Sequence, residues 1–275
     1  MIAVVARDDG SSSRLAQSAA RRELAAHGFG LLWRTPAVAG DAASQAVLLA
    51  QVLQTRPRAV VVLAVSYRSL LPYLRLAHDA SVPVIVADTP RDLANPTFVI
   101  SFVSADEALR ARQIAARVPA GGGVLVMGSA ESGSGQRLAA ALRVRLPGRR
   151  VVLSTLAADP AITPAVLHTA VAAHRDLHDV LLADALVAGA ATSALRAPGT
   201  RVTSAVDTAA GAALLRSGTV AAVIAPTPCV LVVAGLKLAL AAAAGDATRL
   251  TPEALVPSRV ATAATGAVVA PAGRC

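Results

Sequence analysis

Val82-Pro83-Val84-Ile85-Val86-Ala87-Asp88 is the stretch that decides the fold, because an apolar, largely β-branched run closes there on a carboxylate. The same unit recurs along the chain, and an Ala/Leu-rich amphipathic segment follows each run. The further runs are Ile2–Ala6, Val60–Val65, Phe98–Val103, Gly123–Met127, Val151–Ser154, Val180–Ala183, Val202–Val206 and Val220–Ala225. Solid apolar runs are typical of strands buried on both faces, with helices as the crossovers of a parallel sheet. The pattern predicts an α/β fold with doubly wound parallel sheets.

The unit restarts at Gly123, which predicts two successive α/β halves with a seam near Phe98–Asp106. Periodicity and capping residues predict helices at Ser12–His27, Ala42–Gln54, Tyr67–Asp79, Ala105–Val118, Ser134–Arg145, Thr163–Arg175, Ala185–Arg196, Ala209–Ser217 and Cys229–Ala244. In the second helix, capped by Asp41, we expect Val47, Leu48, Val52 and Leu53 to face inward. In such sheets ligands bind at the carboxyl ends of the strands, so functional residues are sought there.

Composition argues against a membrane span and against nucleic-acid binding. The longest apolar stretch, Val230–Ala244, contains Lys237 and is shorter than the roughly 20 residues that a span requires. The formal charge is +9, but the basic residues are scattered arginines with one lysine, and only 2% of residues are aromatic. We therefore expect a solvated, arginine-rich surface rather than contact with nucleic acid through this chain.

Enzymatic motifs are weak. Ser132–Gly135 resembles a phosphate-binding turn but lacks the lysine of a P-loop. The five histidines fall on or beside predicted helices, so no nucleophile–base–acid set is assigned, and neither a metal site nor a cofactor is predicted. Cys229 and Cys275 have no metal-ligand spacing, and their redox state stays open. We expect a protein that is not an enzyme.

Ordered local matches over about 250 residues give the chain a resemblance to a known family. The matching segments are Ile2–Val5 with its Ser-rich turn and the helix to Gly28, Val82–Asp88, Val103–Glu107, His174–Asp184 with Ala188–Ala190, and Val206-Asp207 with Leu214–Val220. They resemble the type I periplasmic sugar-binding proteins, of the ribose-binding-protein type. That family shares its core with the effector domains of lactose-repressor-type regulators.

The resemblance implies two lobes joined by hinge strands: residues 1–103 with 227–256, and 104–226 with 257–275. It implies binding of a small polar, carbohydrate-like solute in an interlobe cleft, with hinge closure, by the substrate-binding component of an ABC importer. Permease subunits would then be partners. The alternative that it leaves open is the effector domain of a transcriptional regulator without its DNA-binding headpiece. Oligomeric state is not predicted.

The same resemblance, carried over position by position, supplies the candidate ligand-binding residues. They are Arg7, Asp8, Asp9, Ser11, Ser12, Tyr67, Asp88, Thr89, Gln136, Asp184 and Asp207. In this interpretation Asp88, Asp184 and Asp207 accept hydrogen bonds from ligand hydroxyls or amines, and Arg7 donates. The loop Arg7–Ser13 lacks the aromatic residues that the family commonly carries, so a smaller, more polar or cationic ligand, or a decayed site, stays open.

Each candidate also has a structural explanation. Asp8, Asp9 and Ser11 could cap a helix, as could Asp184 and Asp207. Asp88, before Thr89-Pro90, could be a turn residue, Gln136 could lie on a surface, and Tyr67 could be a packing residue.

Localisation depends on what precedes Met1. The sequence enters a strand at once, without a basic region followed by an apolar one. We expect a cytoplasmic protein if the chain is complete, and a periplasmic or extracellular one if a leader was removed.

Overall fold

The computed structural model describes residues 1–89, 98–130, 133–157, 162–192, 195, 199–207 and 209–265. These residues form two compact units. The first unit comprises Met1–Ser104 with Thr227–Val256, and the second comprises residues 105–226 with 257–265. Residues 266–275, which the resemblance assigned to the second lobe and which include Cys275, lie outside the described residues, and so does Ser132.

Strands and helices alternate along most of the chain. The strands are β1 (Ile2–Val5), β2 (Leu31–Arg34), β3 (Val60–Leu63), β4 (Val84–Ala87), β5 (Ser101–Ala105), β6 (Val124–Ser129), β7 (Val151–Leu156), β8 (Asp179–Leu182), β9 (Arg201–Ser204), β10 (Ala222–Ala225), β11 (Glu253–Val256) and β12 (Arg259–Thr262). The helices are α1 (Ser11–Ala26), α2 (Ala42–Gln54), α3 (Tyr67–Asp79), α4 (Glu107–Ala115), α5 (Ser134–Arg145), α6 (Pro164–Ala172), α7 (Ala185–Gly189), α8 (Ala209–Arg216) and α9 (Pro228–Ala243).

Each unit is built on a six-stranded sheet. The order in the first unit is β11-β5-β4-β3-β1-β2, and neighbours among β1 to β5 are parallel. The order in the second unit is β12-β10-β9-β8-β6-β7, where β12 runs antiparallel to β10 and the other pairs are parallel. The predicted α/β class with two doubly wound, predominantly parallel sheets is confirmed.

Both faces of each sheet are buried, which explains the solid apolar runs. In β1, Ile2 and Val4 pack with α1 and α9 on one face, whereas Ala3 and Val5 pack with α2 and α3 on the other. These four residues are fully buried. Burying an aliphatic side chain of Val or Ile size contributes about 1.5–3 kcal/mol, so the two faces together fix the strand in place.

The predicted inward face of α2 is wrong at one position. Val47 is 49% exposed, whereas Gln45 is completely buried beside Ala46, Leu49 and Val52. Gln45 occupies an inward position, where its amide hydrogen-bonds to strand ends, an interaction that hydrophobic periodicity does not register. The predicted Asp41 cap is present, since its carboxylate accepts from the amides of Ala43 and Ser44.

Some predicted boundaries are wrong as well. The strand predicted at Phe98–Val103 is β5, Ser101–Ala105. The helix predicted at Ala185–Arg196 ends at Gly189, and part of the remaining stretch lies outside the described residues. No helix in the described part of the chain combines the length and apolar character needed to cross a membrane.

Candidate functional site

An ion pair joins two strand ends of the first unit. Arg7 follows β1 and Asp88 follows β4, and the Arg7 Nη1 contacts Asp88 Oδ2. The exposed fractions of the two side chains are only 3% and 9%, so the pair is largely removed from water. The charge of Arg7 is therefore balanced within the unit, and the pair fixes the orientation of the Asp88 carboxylate.

Asp88 adopts an unusual backbone conformation. Its φ is +62°, in the left-handed region, and its amide donates to the Val103 carbonyl at 2.8 Å. A residue with a Cβ loses roughly 1–2 kcal/mol in this region, although aspartate tolerates it better than most. Strained residues of this kind cluster at functional sites. The same region is adopted by Arg56 and Ser81, so the conformation alone also fits the turn explanation of Asp88, and Thr89 is buried directly after it.

Asp8 shapes the turn between β1 and α1. Its Oδ1 accepts from the Gly10 amide at 2.9 Å and from the Ser13 hydroxyl at 2.7 Å, and the residue is 4% exposed. The N-cap of α1 is Gly10, which makes no side-chain capping bond, so Asp8 organises the turn from outside the cap position. This arrangement favours the structural explanation of Asp8.

Asp9, Ser11 and Ser12 lie nearer to solvent than Asp8. Asp9 and Ser11 are exposed, Ser12 is half-buried, and both serines are in the first turn of α1. The Asp9 carbonyl accepts from Arg14 Nη1 at 2.7 Å. Their side chains have no recorded contact with Arg7 or Asp88, so the structure does not gather them around the ion pair.

Tyr67 is the first residue of α3 and is 5% exposed. Its ring lies 5.8 Å from that of Phe102, at an interplanar angle of 55°. This contact is with the core, which favours the packing explanation over stacking on a ligand.

Gln45 is a site-supporting residue that the sequence did not reveal. From α2, its Nε2 donates to the Ala6 carbonyl at 3.2 Å and to the Leu63 carbonyl at 2.7 Å. Its Oε1 accepts from the Val65 amide at 2.9 Å. One buried amide therefore holds the end of β1 beside the end of β3. The only signal in the sequence was its helical spacing with Leu49 and Val52.

Asp184 connects two strand ends of the second unit. It caps α7 by accepting from the Val187 amide at 3.1 Å, and its Oδ2 accepts from the Ser129 amide, at the end of β6, at 2.6 Å. Helix α5 packs closely against the end of β6, since a Cβ added to Gly128 of β6 would lie 3.2 Å from the Cα of Gly135 in α5. The predicted capping role is therefore present, together with a link to β6.

Asp207 follows β9 and is 3% exposed. The preceding turn is held from α4, because Arg110 Nη1 donates to the Ala205 carbonyl at 2.7 Å. Arg110 is itself buried and paired with Glu107. This clamp fixes the chain two residues before Asp207, and sequence periodicity gave no sign of it.

Gln136 and Ser129 differ in burial. Gln136 is exposed in the first turn of α5, where no recorded contact links it to Asp184. Ser129 is 4% exposed, and its hydroxyl has no hydrogen-bond partner among the described residues. Ser129 was not predicted as a site residue. Its hydroxyl, in the residue whose amide donates to the Asp184 carboxylate, is suited to hydrogen bonding with a polar ligand.

Other chemistry receives no support from the described residues. They contain no group of three His, Cys, Asp or Glu side chains placed to hold a metal. A surface hollow of about 500 Å³ in the first unit is lined by residues of α1 and α9 and of the segments that follow these helices, among them His27, Phe29 and Lys237. It lies toward the C-terminal ends of those helices, at the opposite pole from Arg7 and Asp88. The strand-end groups remain the candidate site.

Comparisons with known proteins agree with this architecture. Residues 2–247 match the family described as periplasmic binding protein domain. No curated protein matches the chain by sequence.

Solved structures of similar fold cover nearly the whole chain. A solute-binding protein of Agrobacterium vitis, bound with alpha-D-tagatopyranose, is 21% identical at a TM-score of 0.70, covering 98% of this chain and 96% of that one. GanP, a glucose-galactose binding protein from Geobacillus stearothermophilus, is 15% identical at 0.71, with 96% and 97% covered. A periplasmic solute-binding protein of Actinobacillus succinogenes with bound D-allose is 16% identical at 0.66, with 96% and 98% covered. At such identities the likeness establishes the fold alone.

Proposed function

Because the chain belongs to the periplasmic binding protein domain family, we propose that it is the non-enzymatic, substrate-binding component of an ABC importer and that it binds a carbohydrate-like solute. The observation that carries this proposal is the ion pair of Arg7 with Asp88, whose backbone is strained at the carboxyl end of a parallel strand. Ligands of open parallel sheets bind at such strand ends.

The chemistry of these strand ends suits a neutral polyol. Carboxylates accept hydrogen bonds from vicinal hydroxyls, and charge-assisted bonds are stronger than neutral ones. In the proposal, Asp88 in the first unit and Asp207 in the second both accept from the sugar. The pairing of Arg7 with Asp88 leaves a balanced pair at this point, so a charged ligand is not required there.

Sugars reported for structurally similar proteins define the first ligands to test. The bound sugars named for them include D-allose and alpha-D-tagatopyranose, and others carry D-arabinose or myo-inositol. Delivery to permease subunits and ligand-driven closure stay predictions.

A thermal-shift experiment with D-allose, D-tagatose, D-arabinose, D-galactose and myo-inositol tests the proposal. A ligand at 100 times its dissociation constant stabilises by about 2.7 kcal/mol. For a chain of this size that corresponds to a rise of roughly 5 °C or more in Tm. We expect at least one of these compounds to produce it.

Variants locate the binding. Asp88→Asn and Asp207→Asn should lose the shift, whereas the exposed Asp9→Asn should keep it. If none of the five compounds stabilises the protein, the choice of ligand class is wrong. If both site variants respond like the unaltered protein, the assignment of the site is wrong.

A further inference from the structure

The surface between α5 and β7 is strongly basic. The segment reads Arg143-Val144-Arg145-Leu146-Pro147-Gly148-Arg149-Arg150. Arg143, Arg145 and Arg150 are exposed, and Val144 is 79% exposed. Leu146 is buried and anchors the turn.

Hydrogen bonds add two more arginines to this surface. Arg149 Nη1 donates to the Pro119 carbonyl at 2.9 Å, which places the segment beside Arg117 at the end of α4. Arg150 pairs with Asp176, which places it beside the exposed Arg175. We call this surface the basic face: Arg117, Arg143, Arg145, Arg149, Arg150 and Arg175.

The basic face has little compensating negative charge. Among the described residues, the exposed Asp176 pairs with Arg150, one of the six arginines of the face. Asp179, which begins β8, is buried and paired with Arg201. The face therefore keeps a net positive charge at the amino ends of the strands, the opposite pole from Asp184 and Asp207.

The helix dipole explains only part of this arrangement. Cations in the last turn of a helix are stabilised by its C-terminal carbonyls, which accounts for Arg143 and Arg145. It does not account for Val144, an apolar residue of the same turn that is 79% exposed. An apolar group flanked by cations matches a lipid interface, where phosphates lie above acyl chains. Guanidinium groups also bind phosphate through two parallel hydrogen bonds.

We propose that the basic face docks on an anionic phospholipid surface, with the arginines binding phosphates and Val144 entering the headgroup layer. This docking does not depend on the proposed solute binding. It requires no change in the strand-end groups, which lie at the other pole of the unit.

Co-sedimentation of the full chain with vesicles of equimolar phosphatidylglycerol and phosphatidylcholine tests the docking. We expect binding at low salt, loss of binding at high salt, and none to pure phosphatidylcholine vesicles. The double variant Arg143→Ser/Arg145→Ser should bind about 25-fold more weakly, because each basic side chain near an anionic surface contributes roughly fivefold. The matched control is Arg21→Ser/Arg22→Ser, which removes the same charge from two exposed positions of α1.

The Val144→Ser variant distinguishes binding to lipid from binding to other polyanions. We expect it to weaken vesicle binding while leaving retention on immobilised heparin unchanged. Equal losses in the two double variants, or no binding to the anionic vesicles at low salt, would overturn the proposal. If Val144→Ser binds vesicles as tightly as the unaltered protein, the basic face is a general polyanion site, and this result would also contradict the proposed docking.

Discussion

Arg7 and Asp88 form a buried ion pair across the width of one strand. Arg7 follows β1, Asp88 follows β4, and β3 lies between those two strands in the sheet. The pair therefore ties together three strand ends, since the Gln45 amide holds the end of β3 to that of β1. The candidate site of the first unit is a preorganised set of groups rather than separate loops.

Arg7→Met should destabilise the protein by about 3–5 kcal/mol, because it leaves the Asp88 carboxylate without its buried partner. Urea unfolding measures the loss. Arg14→Met, at an exposed position of α1, is the control and should change the free energy of unfolding by less than about 1 kcal/mol. Similar small changes in both variants would show that the ion pair contributes little.

The backbone of Asp88 gives a second prediction. Asp88→Ala and Asp88→Gly both remove the carboxylate, but only glycine adopts a φ of +62° without steric cost. The glycine variant should therefore be the more stable of the two, by about 1 kcal/mol, in the same urea assay. An alanine variant as stable as the glycine variant would mean that the left-handed conformation is not imposed by the fold.

Gln45→Leu removes three hydrogen bonds at a fully buried position. It leaves the Leu63 carbonyl and the Val65 amide without their partner, so we expect a loss of at least about 2 kcal/mol. Amide hydrogen exchange at Val65 should accelerate as well. Gln51→Leu, exposed on the same helix, is the matched control. Equal stability and equal exchange in the two variants would contradict the positioning role of Gln45.

Asp41 should make stability depend on pH. Its pKa lies below the ordinary value of 3.8, chiefly because the Ser44 hydroxyl and then the Ser44 amide donate to the carboxylate, and these bonds outweigh the opposing effect of burial. A lowered pKa in the folded state stabilises the protein above the ordinary value, and this contribution is lost as pH falls through the folded-state pKa.

Asp41→Ala should therefore cost about 1 kcal/mol at neutral pH and progressively less as pH falls below the ordinary carboxyl pKa. Asp41→Asn keeps an uncharged cap and lacks the titrating group, so the difference in stability between Asp41→Asn and Asp41→Ala should stay constant across the same pH range. Denaturant midpoints of the three proteins across the acid range measure it. A cost of Asp41→Ala that stays constant with pH would contradict the assignment.

Most strands of the two sheets were predictable because each is a local apolar run in the sequence, whereas β11 and β12 are not among the predicted runs. Ile2–Val5 and Val84–Ala87 are continuous apolar runs, and the predicted bounds of Tyr67–Asp79 and Ser134–Arg145 are confirmed. Local pattern also indicated where strands end, and hence which residues to consider.

Pairings between distant residues were not predictable in this way. Arg7 and Asp88 are 81 positions apart, and their contact depends on the order of strands in the sheet. Gln45 was missed because hydrophobic periodicity treats a polar residue as exposed. Its side-chain amide is nevertheless buried, because it makes hydrogen bonds to three backbone groups. Arg110 was missed for the same reason, since its burial depends on Glu107 and on the Ala205 carbonyl.

A crystal structure of the protein with the sugar that stabilises it most shows directly whether the strand-end carboxylates bind the ligand. We expect sugar hydroxyls within hydrogen-bond distance of the carboxylates of Asp88 and Asp207. A sugar bound instead in the hollow lined by His27, Phe29 and Lys237, or one that contacts neither carboxylate, would contradict the proposed site.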